Sequence, residues 1–177
     1  PPEGGITSVT YGYINGAGRY YRGADFQTGA RFLSDNAGDF FVNLSIAYVD
    51  DERRSDTPGD PYVTIMEQER RLRSRSYLSF SWTKNDWAAG VSTSRIGSMN
   101  FQSPRWDGKP NTKIDPYYDI GAFVRYDIED GHYIALSVSN LMDDIPKKNS
   151  DLGWPWFATY YYSPVGRELF LTYRYTF

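Results

Sequence analysis

Large apolar and small or polar residues alternate along most of this chain. In DFFVNLSIAY, Phe40, Val42, Leu44, Ile46 and Tyr48 share one parity, opposite Asn43, Ser45 and Ala47. SYLSFSW sets Leu78, Phe80 and Trp82 against Ser79 and Ser81, and WAAGVST sets Trp87, Ala89 and Val91 against Ala88, Gly90 and Ser92. In YDIGAFVRYDI, Tyr118, Ile120, Ala122, Val124, Tyr126 and Ile128 oppose Asp119, Gly121, Arg125 and Asp127. HYIALSVSN places Ile134, Leu136 and Val138 against Ala135, Ser137 and Ser139, and GADFQTGARF places Ala24, Phe26, Ala30 and Phe32 against Asp25, Gln27 and Arg31. The closing GRELFLTYRYTF carries Leu169, Leu171, Tyr173, Tyr175 and Phe177 on one face. Glu168, Thr172, Arg174 and Thr176 fall on the other, with Phe170 the exception. A period of two predicts β-strands whose faces meet different surroundings. No capped helix, heptad pattern or low-complexity run interrupts the rhythm.

Alternation alone suits a soluble sandwich and a membrane barrel equally, since both have one polar face. The connections separate them. SDNAGD, TKND and IEDGH are tight turns rich in Gly, Asn and Asp. Between them lie three long segments, VDDERRSDTPGDPYVTIMEQE, SMNFQSPRWDGKPNTK and DDIPKKNSDLGWPWFATYYYSPV. Short and long connections thus alternate in one phase, as in outer-membrane barrels with short periplasmic turns and long external loops. The first strand leaves the count open. VTYGYINGAGRYYRGADFQTGARF reads as one tall strand, giving seven in all, or as two joined at NGAG, giving eight. Seven antiparallel strands cannot close without neighbours, whereas eight make a small barrel alone.

Composition agrees with strands rather than helices in a membrane. Mean hydropathy is −0.59, and no run of about 18 apolar residues marks a transmembrane helix. A barrel strand is apolar on one face only, so its average looks soluble. Aromatic residues make up 18% of the chain, with 16 Tyr, 10 Phe and 5 Trp, an excess that fits interfacial girdles and also a sugar-binding sandwich. The absence of Cys removes disulfides and thiolate chemistry. A net charge of −3 argues against nucleic acid as a partner. PPEGGITSV has neither the basic start nor the apolar stretch of a signal peptide, which is expected of a mature chain or of a piece whose beginning lies elsewhere.

Three stretches resemble the carboxyl-terminal part of the TonB-dependent outer-membrane transporters. YDIGAFVRYDIEDGHYIALSVSNLMDDIP is similar to that family's penultimate hairpin, which commonly ends in Asn-Leu-Phe-Asp; here Asn140-Leu141-Met142-Asp143 has Met in place of Phe. YYYSPVGRELFLTYRYTF resembles the closing strand, with its Gly-Arg lead-in and terminal Phe. YINGAGRYYRGADFQTGARFLSDNAGDFFVNLSIAYVDDE resembles an upstream segment, of whose Gly-Val-Glu-Leu pattern Gly23-Ala24-Asp25-Phe26 keeps the glycine and the acid. The resemblance implies an all-β fold: residues 1–177 as the last seven strands, or eight, of a 22-stranded barrel in the bacterial outer membrane, without its plug domain. It favours seven, with Pro1 in an outward-facing loop. It also implies import of a scarce nutrient, foremost a ferric siderophore, with the TonB complex (reached through the plug), the barrel-assembly machinery and outer-membrane lipid and lipopolysaccharide as partners. A carbohydrate or other non-iron substrate suits the same fold, and a standalone eight-stranded structural or adhesive barrel is the rival architecture.

The candidate chemistry is that of binding. Trp154, Trp156, Phe157, Tyr160, Tyr161 and Tyr162 crowd the last long connection and its return. Their rings suit a sugar or an aryl iron chelate at a ligand mouth, and equally a folded loop with its own small apolar core. Tyr173, Tyr175 and Phe177 form the terminal pattern expected of a barrel-assembly signal. Asp50, Asp51, Glu52, Asp56 and Asp60 offer oxygen ligands of the kind calcium uses, without the spacing of a known loop, and read as a solvated charge run. Arg71, Arg73 and Arg75 share one face of an expected strand, where they would meet lipopolysaccharide phosphates, an anionic ligand or solvent. His132, the single histidine, lies by a short turn with no triad around it. With no HExxH and no Gly-rich phosphate loop, neither an enzyme, a bound metal nor a cofactor is expected.

Overall fold

The computed structural model describes residues 8, 11–12, 18–66, 71–101, 112–129, 131–146 and 161–176. Ten strands run in chain order: β1 Gly18–Phe32, β2 Asp39–Ser55, β3 Val63–Thr64, β4 Ser74–Lys84, β5 Trp87–Ile96, β6 Met99–Phe101, β7 Thr112–Ile114, β8 Tyr117–Ile128, β9 His132–Ser139 and β10 Glu168–Arg174. Strands make up 65% of the described residues, with no helix among them. Seven long strands pair antiparallel as a meander in the order β1-β2-β4-β5-β8-β9-β10, and β3 adds to the outer end of β2. β6 and β7 form a separate hairpin. The sheet is not closed: β1 and β10 do not pair. The seven long strands are common to both strand counts; the stretch that separates the counts, residues 9–17, lies mostly outside the described residues.

Register decides which parities share a face. Phe26 pairs with Ile46, Val42 with Phe80, Phe80 with Val91, Val91 with Ala122, Val124 with Leu136, and Leu136 with Leu171. The apolar sets of all seven strands therefore merge into one continuous face. Phe26, Val91, Leu136 and Leu171 on it are exposed, and among the described residues no second layer packs against it. The buried apolar side chains, Ile65, Met66, Met99 and Tyr162, belong to the connections instead. Rings gather at the two ends of the apolar face. Phe32, Phe40, Trp82, Trp87 and Tyr126 stand at one end, where Trp87 and Tyr126 pack with centroids 4.8 Å apart. Tyr20, Tyr48 and Tyr118 stand at the other. Phe40 to Tyr48 and Tyr118 to Tyr126 each span eight residues, or about 27 Å along a strand.

The opposite face carries Gln27, Asn43, Ser79, Ser81, Ser92, Asp119 and Ser137, with Tyr77, Phe123 and Phe170 standing among them. Gly90 lies beneath the Phe123 ring, where a Cβ would come within 2.5 Å of it. The rings and serines line a groove of about 530 Å³.

Short turns lie at one end of the sheet and long connections at the other, in the phase the sequence implies. At the short-turn end, Asn85 turns β4 into β5 with a φ of 49°, a conformation that Asn tolerates better than most residues. Gly38 closes the β1–β2 turn with a φ of 89° and donates its N–H to the Ser34 carbonyl. Trp82 Nε1 donates to the Ala37 carbonyl at 2.7 Å, fastening this turn to β4. A Cβ on Gly38 would lie 2.5 Å from the Thr83 carbonyl oxygen. Gly38→Ala is therefore expected to cost about 1–2 kcal/mol from the left-handed backbone alone, read as a lower urea midpoint. Gly59, with a φ of 97° but open space around its Cα, is the comparison that isolates the steric part: its Ala variant should lose less.

Candidate functional site

The chemistry-bearing residues gather on the polar face at the long-connection end. A β-bulge in β2 brings them together. Gly23 pairs with Val49 but Arg22 pairs with Asp51, leaving Asp50 as the extra residue. Beyond the bulge the parity of β2 reverses, so Glu52 turns onto the polar face beside Tyr21, although its even number puts it in register with the apolar set of the lower strand. The Glu52 side chain is 5% exposed and is held by Arg19 and Arg71, with Arg71 Nε 3.6 Å from Oε2. Two guanidinium groups compensate the buried carboxylate; removal of either would leave part of that charge desolvated. β3 seals the outer side, where Ile65 donates its N–H to the Glu52 carbonyl at 2.9 Å.

The acidic run does not converge on a cation. Asp50 pairs with Arg22, Asp51 with Arg53, Glu52 with Arg19 and Arg71, and Asp56 with Arg54. Among the described residues no group of three or more acidic or histidine side chains is arranged to hold a metal. The reading of a solvated charge run needs correction at Glu52, which is buried, because the bulge and β3 remove it from solvent. The arginine stretch is corrected too. β4 begins only at Ser74, so Arg71 and Arg73 precede the strand and Arg75 alone lies in it. All three nevertheless border the same cleft of about 300 Å³, together with Arg19, Tyr21 and Tyr161. A second hollow of about 320 Å³ adjoins it over Ser45, Arg75, Tyr77 and Ile96, again edged by Tyr161.

The last connection returns to the sheet through a small apolar core. Tyr162 is 7% exposed and packs with Met99, while Leu72, Ile96, Ile114, Tyr117 and Tyr161 surround the pair. The Tyr117 and Tyr162 rings meet edge to face at 5.2 Å, and burial pushes the Tyr162 phenol above its ordinary range, ahead of the influence of Tyr161. Of the six aromatic residues in this connection, Tyr162 is thus a core ring and Tyr161 a cleft-lining one. Trp154, Trp156, Phe157 and Tyr160 lie outside the described residues.

Two sequence motifs meet at the same end. Asn140, 5% exposed, takes a φ of 49° and folds the chain back after β9. Its Nδ2 donates to the Asp144 carbonyl at 2.8 Å, and its Oδ1 accepts from the Asp144 N–H at 2.9 Å. Its own N–H reaches Asp119 of β8 at 3.1 Å. Asp143 then accepts the Arg167 N–H at 2.8 Å, and Gly166 leaves room for that carboxylate, since a Cβ there would lie 2.6 Å from Oδ1. The Asn-Leu-Met-Asp and Gly-Arg motifs therefore form one clasp joining β8, β9 and the lead-in to β10.

At the other end of the sheet, Tyr173 and Tyr175 converge on His132. The Tyr173 hydroxyl lies 2.9 Å from His132 Nδ1, and the Tyr175 ring packs on the imidazole at 4.2 Å. Phe177, the third residue of the expected assembly signal, is outside the described residues. No family model matches the chain, and no curated protein or solved structure matches it either.

Proposed function

We propose that this chain is part of the wall of an antiparallel β-barrel in the bacterial outer membrane, the carboxyl-terminal part of a TonB-dependent transporter. One observation carries the membrane assignment: a continuous apolar face over seven strands, uncovered among the described residues and bounded by two rows of rings about 27 Å apart along the strands. A tilted barrel presents an apolar band of about 25 Å between aromatic girdles, and lipid is the covering that such a face suits. The opposite face would line a polar lumen and meet the plug. The long connections would form part of the mouth on the outside. The transporter assignment, and a ferric siderophore as its foremost cargo, rest on the sequence resemblance. A carbohydrate cargo is the second reading, supported by the rings of the last long connection.

The outer edges of β1 and β10, unpaired among the described residues, support a barrel with further strands, because open edges in lipid leave N–H and C=O groups without partners. Residues 1–177 expressed alone are accordingly expected to give no heat-modifiable monomeric barrel in detergent, whereas the full protein should fractionate with the outer membrane and show that shift on gels. A clean closed monomer from residues 1–177 would overturn the many-stranded reading in favour of a standalone barrel. Recovery of the full protein from the soluble fraction would overturn the membrane assignment itself.

A further inference from the structure

Beside the Arg19–Glu52–Arg71 group stand two more arginines whose charge no described residue balances. Arg75 lies opposite Ala47 in register, and the Arg73 carbonyl accepts from the Val49 N–H at 2.8 Å. Both side chains therefore belong to the polar face, two residues and about 7 Å apart along the chain. Each is exposed, and neither has a hydrogen bond or ion pair among the described residues. Among the described residues the nearby carboxylates are already engaged: Asp50, Asp51 and Glu52 each have their own arginine. Unpaired like charges side by side repel one another, and in a chain of net charge −3 this local excess of cations stands out. Tyr21, Tyr77 and Tyr161 edge the two adjoining hollows that these arginines line.

We propose that this cleft binds a small solute carrying two or more acidic oxygen groups, carboxylate or phosphate, on a compact body that lies against the tyrosines. Guanidinium forks match the two oxygens of such groups better than ammonium does. The buried Glu52 fixes Arg19 and Arg71 as the rigid floor, while Arg73 and Arg75 remain available to the solute. The phosphates of lipopolysaccharide on the apolar side are a poorer fit, because the cleft opens on the opposite face of the sheet. The inference rests on the transporter reading only for the origin of the solute outside the cell; the cleft itself rests on the polar face.

The test is equilibrium binding to the full protein, with inorganic pyrophosphate, citrate and ferric citrate as probes and maltose as an uncharged control. At least one anion should bind, more weakly as salt rises, and maltose should not compete for the site. The double variant R73Q/R75Q should lower anion affinity by about tenfold or more, and R73K/R75K should fall between it and the unaltered protein. Limited proteolysis of each variant should give the unaltered pattern, which separates lost binding from lost folding. Absence of binding by all three anions would overturn the proposal. So would equal affinity in R73Q/R75Q, or binding of lipopolysaccharide phosphates without binding of soluble anions. Fractionation of the same preparations keeps the two readings apart. Arginine-dependent anion binding by a protein absent from the outer membrane would uphold the cleft and reject the transporter; a membrane-borne protein that binds none of the anions would reject the cleft alone.

Discussion

On the proposed membrane reading, arginine in place of Val124 is expected to lower the folding free energy in lipid bilayers by about 1–3 kcal/mol, below the roughly 2–4 kcal/mol of a barrel's midplane because the site lies nearer one interface. Val124 lies between Ala89 and Leu136 on the apolar face, four strands from one edge of the meander and two from the other. Along β8 it lies two residues from Tyr126 and six from Tyr118, so the guanidinium reaches the short-turn interface more readily than the other. Ser137, which pairs with Phe123 and Phe170 on the polar face, is the matched comparison; Arg there meets water and should cost far less. Gly121 is a poorer control, since any Cβ there lies 3.3 Å from the Val138 carbonyl oxygen. Urea titrations of both variants of the full protein in vesicles supply the comparison. Similar costs at Val124 and Ser137 would mean that lipid does not cover the apolar face.

Asn140→Ala is expected to cost about 3 kcal/mol. Two side-chain hydrogen bonds to the Asp144 backbone disappear, each worth about 1 kcal/mol net. The remaining φ of 49° then belongs to a residue without the local bonding that suits Asn to it, at a further cost of about 1 kcal/mol. Asn140→Gly relieves the backbone and should recover roughly that last part. An order of stability of Asn, then Gly, then Ala in urea titrations checks both contributions separately. Identical midpoints for all three would remove Asn140 from any role in holding β8, β9 and the β10 lead-in together.

Much of this fold is legible from alternation, because the side-chain period of a strand is a local property. Phe40 to Tyr48, Tyr118 to Ile128 and Leu169 to Tyr173 each declare their two faces from a few neighbouring residues. The tight turns likewise declare themselves through Asn85 and Gly38, whose positive φ angles few other residues accept. The functional end is less legible, since it is assembled from residues distant in the chain. Parity assigns Glu52 to the wrong face; an extra residue at Asp50 reverses it, and nothing in VDDERR marks where the bulge falls. Arg19 and Arg71 reach that carboxylate from 33 residues before it and from the segment that leads into β4. Tyr161 and Tyr162 are adjacent, yet one lines a cleft and the other fills a core; only their neighbours, Met99 of β6 and residues of β5, β7 and β8, distinguish them.

The sequence by itself determined an all-β chain, the alternation of each long strand, the phase of short and long connections, and the stock of arginines and rings. Tertiary pairing decided that seven separate apolar stripes form one uncovered face, that two motifs more than twenty residues apart close as a single clasp, and that an acidic run and a basic run meet as a lined cleft. The division has a physical cause. Side-chain direction along a strand follows from the backbone within two residues, whereas register, bulges and cross-strand charge compensation depend on which strands become neighbours.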